Sequence, residues 1–232
     1  MTQADVLKLW EAGRSLGPLD RAVLAASVVS SDRRSAADWP LGTRNRSLAQ
    51  LHCDAFGGML RGYTSCRSCT ERLEFEFDGH SIAAPPAPIQ ASAAEVVHVG
   101  KWMFRLPTSR DLAIAAEESG EQAAAQRLVA SCYSGSALAA DWTEEDLDII
   151  GERLSEADPF AEIMLHFDCP ACSASFDESL DLGGFVWAEI QTQAMRIFQE
   201  VHVLASAYGW RESEILALSP ARRSAYVELV QA

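Results

Sequence analysis

The sequence predicts an α+β protein, mainly helical, in which two short hairpins from distant parts of the chain are drawn together. Three observations predict it. Two Cys-x-x-Cys turns, Cys66-Arg-Ser-Cys69 and Cys169-Pro-Ala-Cys172, lie far apart in a chain of 232 residues. Each is flanked by residues that alternate between apolar and acidic, the period of a half-buried strand. Elsewhere apolar residues recur at helical spacing between glycine and proline stops.

Three helices are expected in the first region, 1–58. The first carries Val6, Leu7, Leu9 and Trp10 to a stop at Gly13, and the second covers 19–29 behind Pro18. A polar break over 30–37 leads to a third helix at 41–56, ended by Gly57-Gly58. From Met59 the period changes to two. Leu60, Gly62 and Thr64 approach the first cysteine pair; Leu73, Phe75 and Phe77 alternate with Glu74, Glu76 and Asp78 behind it. A proline-rich stretch at 83–88 excludes helix and central strand, and an extended piece over 96–106 closes at Pro107. Thr108 or Ser109 then caps a helix with Asp111 in its first turn. The helical pattern runs to 156 with interruptions at Gly120 and Ser134-Gly135, and Thr143 caps its last segment, which ends near Asp158-Pro159.

Strand alternation returns at Ala161, Ile163, Leu165 and Phe167 and resumes over 176–182 after the second pair. Region 59–182 therefore reads as two knuckle hairpins around a helical insert at about 108–158. Beyond Gly183-Gly184 the longest helix, 185–208, sets Val186, Ile190, Ala194, Ile197, Val201, Leu204 and Ala205 on one stripe. Gly209 stops it, a short helix follows Trp210, and Ser219-Pro220 opens the last helix of region 183–232. The three regions are expected to form one cooperative unit.

With 48% hydrophobic residues the chain can bury a substantial core. A net charge of -14 argues against nonspecific binding to nucleic acid or an anionic membrane. No stretch reaches the ~20 apolar residues of a membrane span, and the amino terminus has no basic-then-apolar leader pattern, so a cytoplasmic location is expected. Thiols stay reduced there, which favours metal ligands over disulfides for the paired cysteines. Cys53 and Cys132, in helix-like Ala- and Leu-rich surroundings, read as small buried hydrophobes.

Tetrahedral zinc takes four soft or borderline ligands, and each Cys-x-x-Cys turn presents two thiolates to one ion. Cys66, Cys69, Cys169 and Cys172 are thus the expected ligands of one Zn2+ in a zinc-ribbon-like pair of hairpins. Four protein sulfurs leave no open position, so the ion would be structural. A thiol oxidoreductase is the alternative, but a redox Cys-x-x-Cys normally opens a helix, and here both pairs fall between strands.

His166 could ligate or support the metal; a surface histidine is the plainer reading. The other histidines form no ligand spacing. Glu117-Glu118 and Glu144-Glu145-Asp146 read as solvated faces and caps, and no phosphate loop, nucleophile elbow or His-Glu-x-x-His is present. Neither an enzyme nor a small-molecule substrate is expected. Near the carboxyl end Tyr208, Trp210, Arg222, Arg223 and Tyr226 are candidate partner-binding anchors, with ordinary helix packing as the other reading.

One ordered set of segments carries a resemblance: Trp39-Pro-Leu-Gly-Thr-Arg-Asn-Arg46, the first knuckle, Phe104-Arg-Leu-Pro-Thr-Ser-Arg-Asp-Leu112, the second knuckle, Phe185-Val-Trp-Ala-Glu-Ile190, and Tyr208-Gly-Trp-Arg-Glu-Ser-Glu-Ile-Leu-Ala-Leu-Ser-Pro-Ala-Arg-Arg223. In this order the chain resembles proteins of phage-tail-like contractile injection systems and is similar to the T-even phage baseplate hub assembly chaperone family. The resemblance implies a noncatalytic role in baseplate or tail assembly, as a chaperone or a minor component of the particle, with hub or tail proteins as partners. In such relatives glycine often follows each cysteine pair. Here Thr70 and Ser173 follow, and a left-handed turn would cost them energy. A zinc-dependent regulatory adaptor, binding nucleic acid or another regulator, is the remaining alternative.

Overall fold

The computed structural model describes residues 1–29, 36–83, 96–135 and 142–231; most of the polar break and of the proline-rich stretch lie outside them. Helices α1 (Gln3–Gly13), α2 (Pro18–Ala26) and α3 (Leu41–Phe56) precede the hairpin β1 (Met59–Ser65) and β2 (Arg72–Asp78). The insert holds β3 (Val96–Val99), β4 (Trp102–Arg105), α4 (Ser109–Ala115), α5 (Glu121–Cys132) and α6 (Glu144–Ala157). A further hairpin, β5 (Met164–Asp168) and β6 (Ser175–Ser179), leads into α7 (Leu182–Tyr208), α8 (Glu212–Ala217) and α9 (Pro220–Gln231). The architecture is a mainly helical α+β fold whose strands, among the described residues, form three separate antiparallel pairs.

The larger core lies where α7 packs against α1, α2 and α3. Val186, Ile190, Ala194, Ile197 and Leu204 of the α7 stripe are buried, and Trp187 joins them beside Gly13. Small residues let α2 approach closely. Ala22, Ala25 and Ala26 are buried, and a Cβ on Gly183 would stand 2.7 Å from that of Ala22. Gly183-Gly184 therefore lies inside α7 and does not precede it; Asp181 starts the helix by accepting the Gly184 N–H at 3.0 Å. The carboxyl-terminal helices fold back onto the second half of α7, sealing Ile215 and Arg223.

The insert has its own core of Phe104, Val129, Cys132, Trp142, Ile150 and their neighbours. The sequence suggests one extended piece over 96–106, but the structure folds it into the β3–β4 hairpin at Gly100, which adopts φ 56°. Asp111 locks the start of α4, accepting from the Thr108 N–H at 2.8 Å and its hydroxyl at 2.6 Å, and pairs with both terminal nitrogens of Arg105 at 2.6 and 2.7 Å. Burial alone would raise its pKa; Arg105, Thr108 and Ser131 instead hold it far below the ordinary carboxylate range.

Backbone and side-chain hydrogen bonds fasten the insert to α3. The Leu41 N–H donates to Pro107 O, the Gly42 N–H to Asp158 Oδ2, and Asn45 Nδ2 to the carbonyls of Phe160 and Ala161. The Trp39–Arg46 and Phe104–Leu112 segments thus meet at this joint.

Candidate metal centre

Both knuckles are built by the same backbone device. In the first, the Cys66 N–H donates to Glu71 O at 2.8 Å and the Thr70 N–H to Cys66 O at 2.9 Å; in the second, Cys169 N–H reaches Ala174 O at 2.9 Å and Ser173 N–H reaches Cys169 O at 2.8 Å. Each turn closes only if its fourth following residue is left-handed, and Thr70 and Ser173 adopt φ 62° and 59°. These are the only non-glycine residues at positive φ among those described. The strained positions mark the two cysteine turns.

The two turns face each other. Cys66 Sγ stands 3.6 Å from Cys172 Sγ, Cys69 Sγ stands 3.6 Å from Cys169 Sγ, and all four sulfurs lie within 4.8 Å of one another. Sulfurs ~2.3 Å from one tetrahedral ion stand ~3.8 Å apart, whereas a disulfide would bring two to ~2.05 Å. The spacing fits a metal. The first cysteine of each pair is buried and the second is exposed, so the quartet sits at the protein surface with one side covered by Leu73, Phe167, Ala174 and Phe176.

The local electrostatics differ from one sulfur to another. The backbone amides of Cys69 and Ser68 pull the Cys66 thiol down to about 6. For Cys69 the Glu71 amide favours the thiolate, but the neighbouring sulfurs and burial outweigh it and push the thiol up to about 12. Cys172 is likewise raised overall, the Ala174 amide and Cys69 being outweighed by burial and by Cys169 and Cys66. Amide dipoles favour a thiolate at Cys66, and a divalent ion would offset what raises Cys69 and Cys172.

Contacts beyond the sulfurs join the hairpins. Phe75 on β2 meets Phe167 on β5 edge to face at 5.6 Å between centroids, Arg67 lies over Phe176, and the Thr64 hydroxyl donates to Glu178. Alternation foretells the inner-face aromatics but not these pairings, because the relative placement of two hairpins is not a periodicity. His166 lies on the exposed face, 2.6 Å from Asp177 and outside the sulfur cluster; its pKa is raised by that hydrogen bond.

At the carboxyl end the candidate anchors divide. Tyr208 and Trp210 stack with centroids 4.8 Å apart, and Tyr226 packs edge-on against both. Arg222 is exposed. Arg223, expected as a surface anchor, is instead buried: Nε pairs with Glu200 at 3.0 Å and Nη1 donates to Leu218 O at 2.6 Å. It fastens α9 to α7, because a buried guanidinium is tolerated only with such partners. Among the described residues no helix is long and apolar enough to cross a membrane.

No protein-family model, curated protein or solved structure matches this chain.

Proposed function

We propose that this chain is a noncatalytic binding protein stapled by one structural Zn2+. Its role would be that of an assembly factor or minor baseplate component of a phage-tail-like contractile injection system, holding a hub or tail protein. The observation that carries the reading is the convergence of four sulfurs from two distant turns. Such a set fills a tetrahedral shell and leaves no position for substrate or activated water. Zinc, redox-inert and satisfied by thiolates, suits it. Both cysteine pairs lie between strands, so no helix dipole activates a thiol for disulfide exchange.

The partner surface in this reading is the Tyr208–Trp210–Tyr226 aromatic cluster with exposed Arg222, extended along α9 by Leu229 and Val230, 68% and 39% exposed. Aromatic and arginine residues on a rigid helical support make strong interface anchors. The test is co-expression with the baseplate hub protein of a contractile injection system. Tyr208→Ala with Trp210→Ala should send the hub into the insoluble fraction while the variant keeps its zinc. Unchanged hub solubility and particle assembly would overturn the assignment.

A further inference from the structure

A cleft of about 450 Å³ opens between the two hairpins and the first turns of α7. Its floor is aromatic and aliphatic: Phe75, Leu165, Phe167 and Phe185, all half-buried. One wall is residues 61–64, four consecutive positions of β1. Successive strand residues point to opposite faces, so a cleft that touches all four runs along the edge of the strand. That edge is free: among the described residues β1 pairs with β2 alone. Its outward N–H and C=O groups can accept another strand.

The opposite wall and rim are acidic. Glu178, Asp181 and Glu189 line the cleft against a single base, Arg61, which pairs with Glu76 at 3.1 Å. Glu178 accepts a hydrogen bond from Thr64 and Asp181 caps α7, while Glu189 forms no hydrogen bond or ion pair among the described residues. An apolar floor, an unpaired strand edge and a rim with three acidic groups against one base define one kind of occupant.

We infer that this cleft binds an extended peptide segment of the partner, added as a strand along β1, with apolar side chains on the aromatic floor and a lysine or arginine at the Glu178–Glu189 rim. Main-chain hydrogen bonds would supply affinity and the alternating side chains specificity. The acidic rim would select basic segments by charge complementarity. Because one wall comes from each hairpin, the cleft takes shape only when the two are held together. The inference rests on reading the chain as a binding protein and adds the chemistry of what it binds.

The test uses zinc-loaded full-length protein and a fluorescein-labelled octapeptide alternating valine and lysine, followed by fluorescence anisotropy, with a valine–glutamate octapeptide beside it. The basic probe should bind saturably and more weakly as salt rises, and the acidic probe should not bind. Ala188 lines the cleft from an exposed helical position, so Ala188→Trp should fill it and weaken the basic probe by at least about tenfold, with zinc content and circular dichroism unchanged. Glu189→Gln provides a second, milder variant that should weaken only the basic probe. Equal binding of both probes, no saturable binding, or full affinity in Ala188→Trp would overturn the inference. Ala188→Trp leaves Tyr208 and Trp210 untouched. Hub solubility unaffected by the Tyr208 and Trp210 substitutions would defeat the assembly reading while leaving the cleft result standing.

Discussion

Cys132 and Cys66 are equally shut off from solvent, 0% and 1% exposed, yet their surroundings drive their thiols in opposite directions. In the insert, burial and the nearby Asp111 carboxylate push Cys132 up to about 11. In the ribbon, the amides of Cys69 and Ser68 draw Cys66 down to about 6. The same side chain is packing material in one region and part of a four-sulfur cluster that could hold a metal in the other. The difference extends to how each region is held. Among the described residues the insert core is a cluster of nine buried side chains including Phe104, whereas the cluster at the knuckles has three, two of them cysteines, and Leu60 of β1 is buried in the larger core instead. Apolar burial can carry the first; a two-stranded pair with so little core is marginal without another restraint. Apolar area thus holds the insert together, whereas a shared ion would hold the knuckle ends of the two hairpins.

Stripping the metal should separate the two regions most strongly. Structural zinc contributes on the order of 10 kcal/mol to small sites, so chelation or Cys66→Ser should abolish amide protection in β1, β2, β5 and β6 while α5 and α6 stay protected. Simultaneous loss in both regions, read by hydrogen exchange, would show that the metal holds the whole fold. Phe104→Ala is the converse change. Removing this fully buried ring should cost about 3–5 kcal/mol in the insert and leave one zinc per chain, measured by denaturant unfolding alongside metal analysis.

The insert should also respond to acid through Asp111. Its folded pKa is depressed, so its contribution is fully present above the unfolded carboxylate value of about 3.9 and is lost as pH falls from there toward the lower folded value. Asp111→Asn should cost about 2 kcal/mol at neutral pH and flatten that part of the acid-unfolding curve. An unaltered pH profile would show that the Arg105 pair contributes nothing.

The smallest effect is a gain. Ser173→Gly should relieve ~1 kcal/mol of left-handed strain, offset in part by ~0.5 kcal/mol of unfolded-state entropy. Thr70→Gly should gain less, since it also loses the 2.6 Å hydrogen bond from the Thr70 hydroxyl to Cys69 O. A fall in melting temperature for Ser173→Gly would show that the observed φ is not a source of strain.

Much of this architecture was legible because it is local. The change from helical to alternating period at Met59, the Thr108 and Thr143 caps and the α7 stripe all follow from nearest-neighbour geometry, and the structure contains each. The cysteine quartet was legible because two Cys-x-x-Cys turns together make up one tetrahedral donor set. What was missed is tertiary. Gly183 reads as a breaker until Ala22 is seen against it, and Arg223 reads as a surface arginine until Glu200 arrives from α7, 23 residues earlier in the chain. The cleft between the hairpins has no sequence signature at all, since its walls come from segments more than a hundred positions apart and meet only through their contacts.

Whether one ion joins the two knuckles is decided by metal stoichiometry. Native mass spectrometry and elemental analysis should be run on untagged protein and on the Cys69→Ser and Cys172→Ser variants, each of which alters one exposed ligand from a different turn. The parent should carry one zinc per chain, and both variants should lose tight binding. Two ions per chain, an ion that survives in either variant, or a metal-free parent with its hairpins still protected would contradict a shared ion.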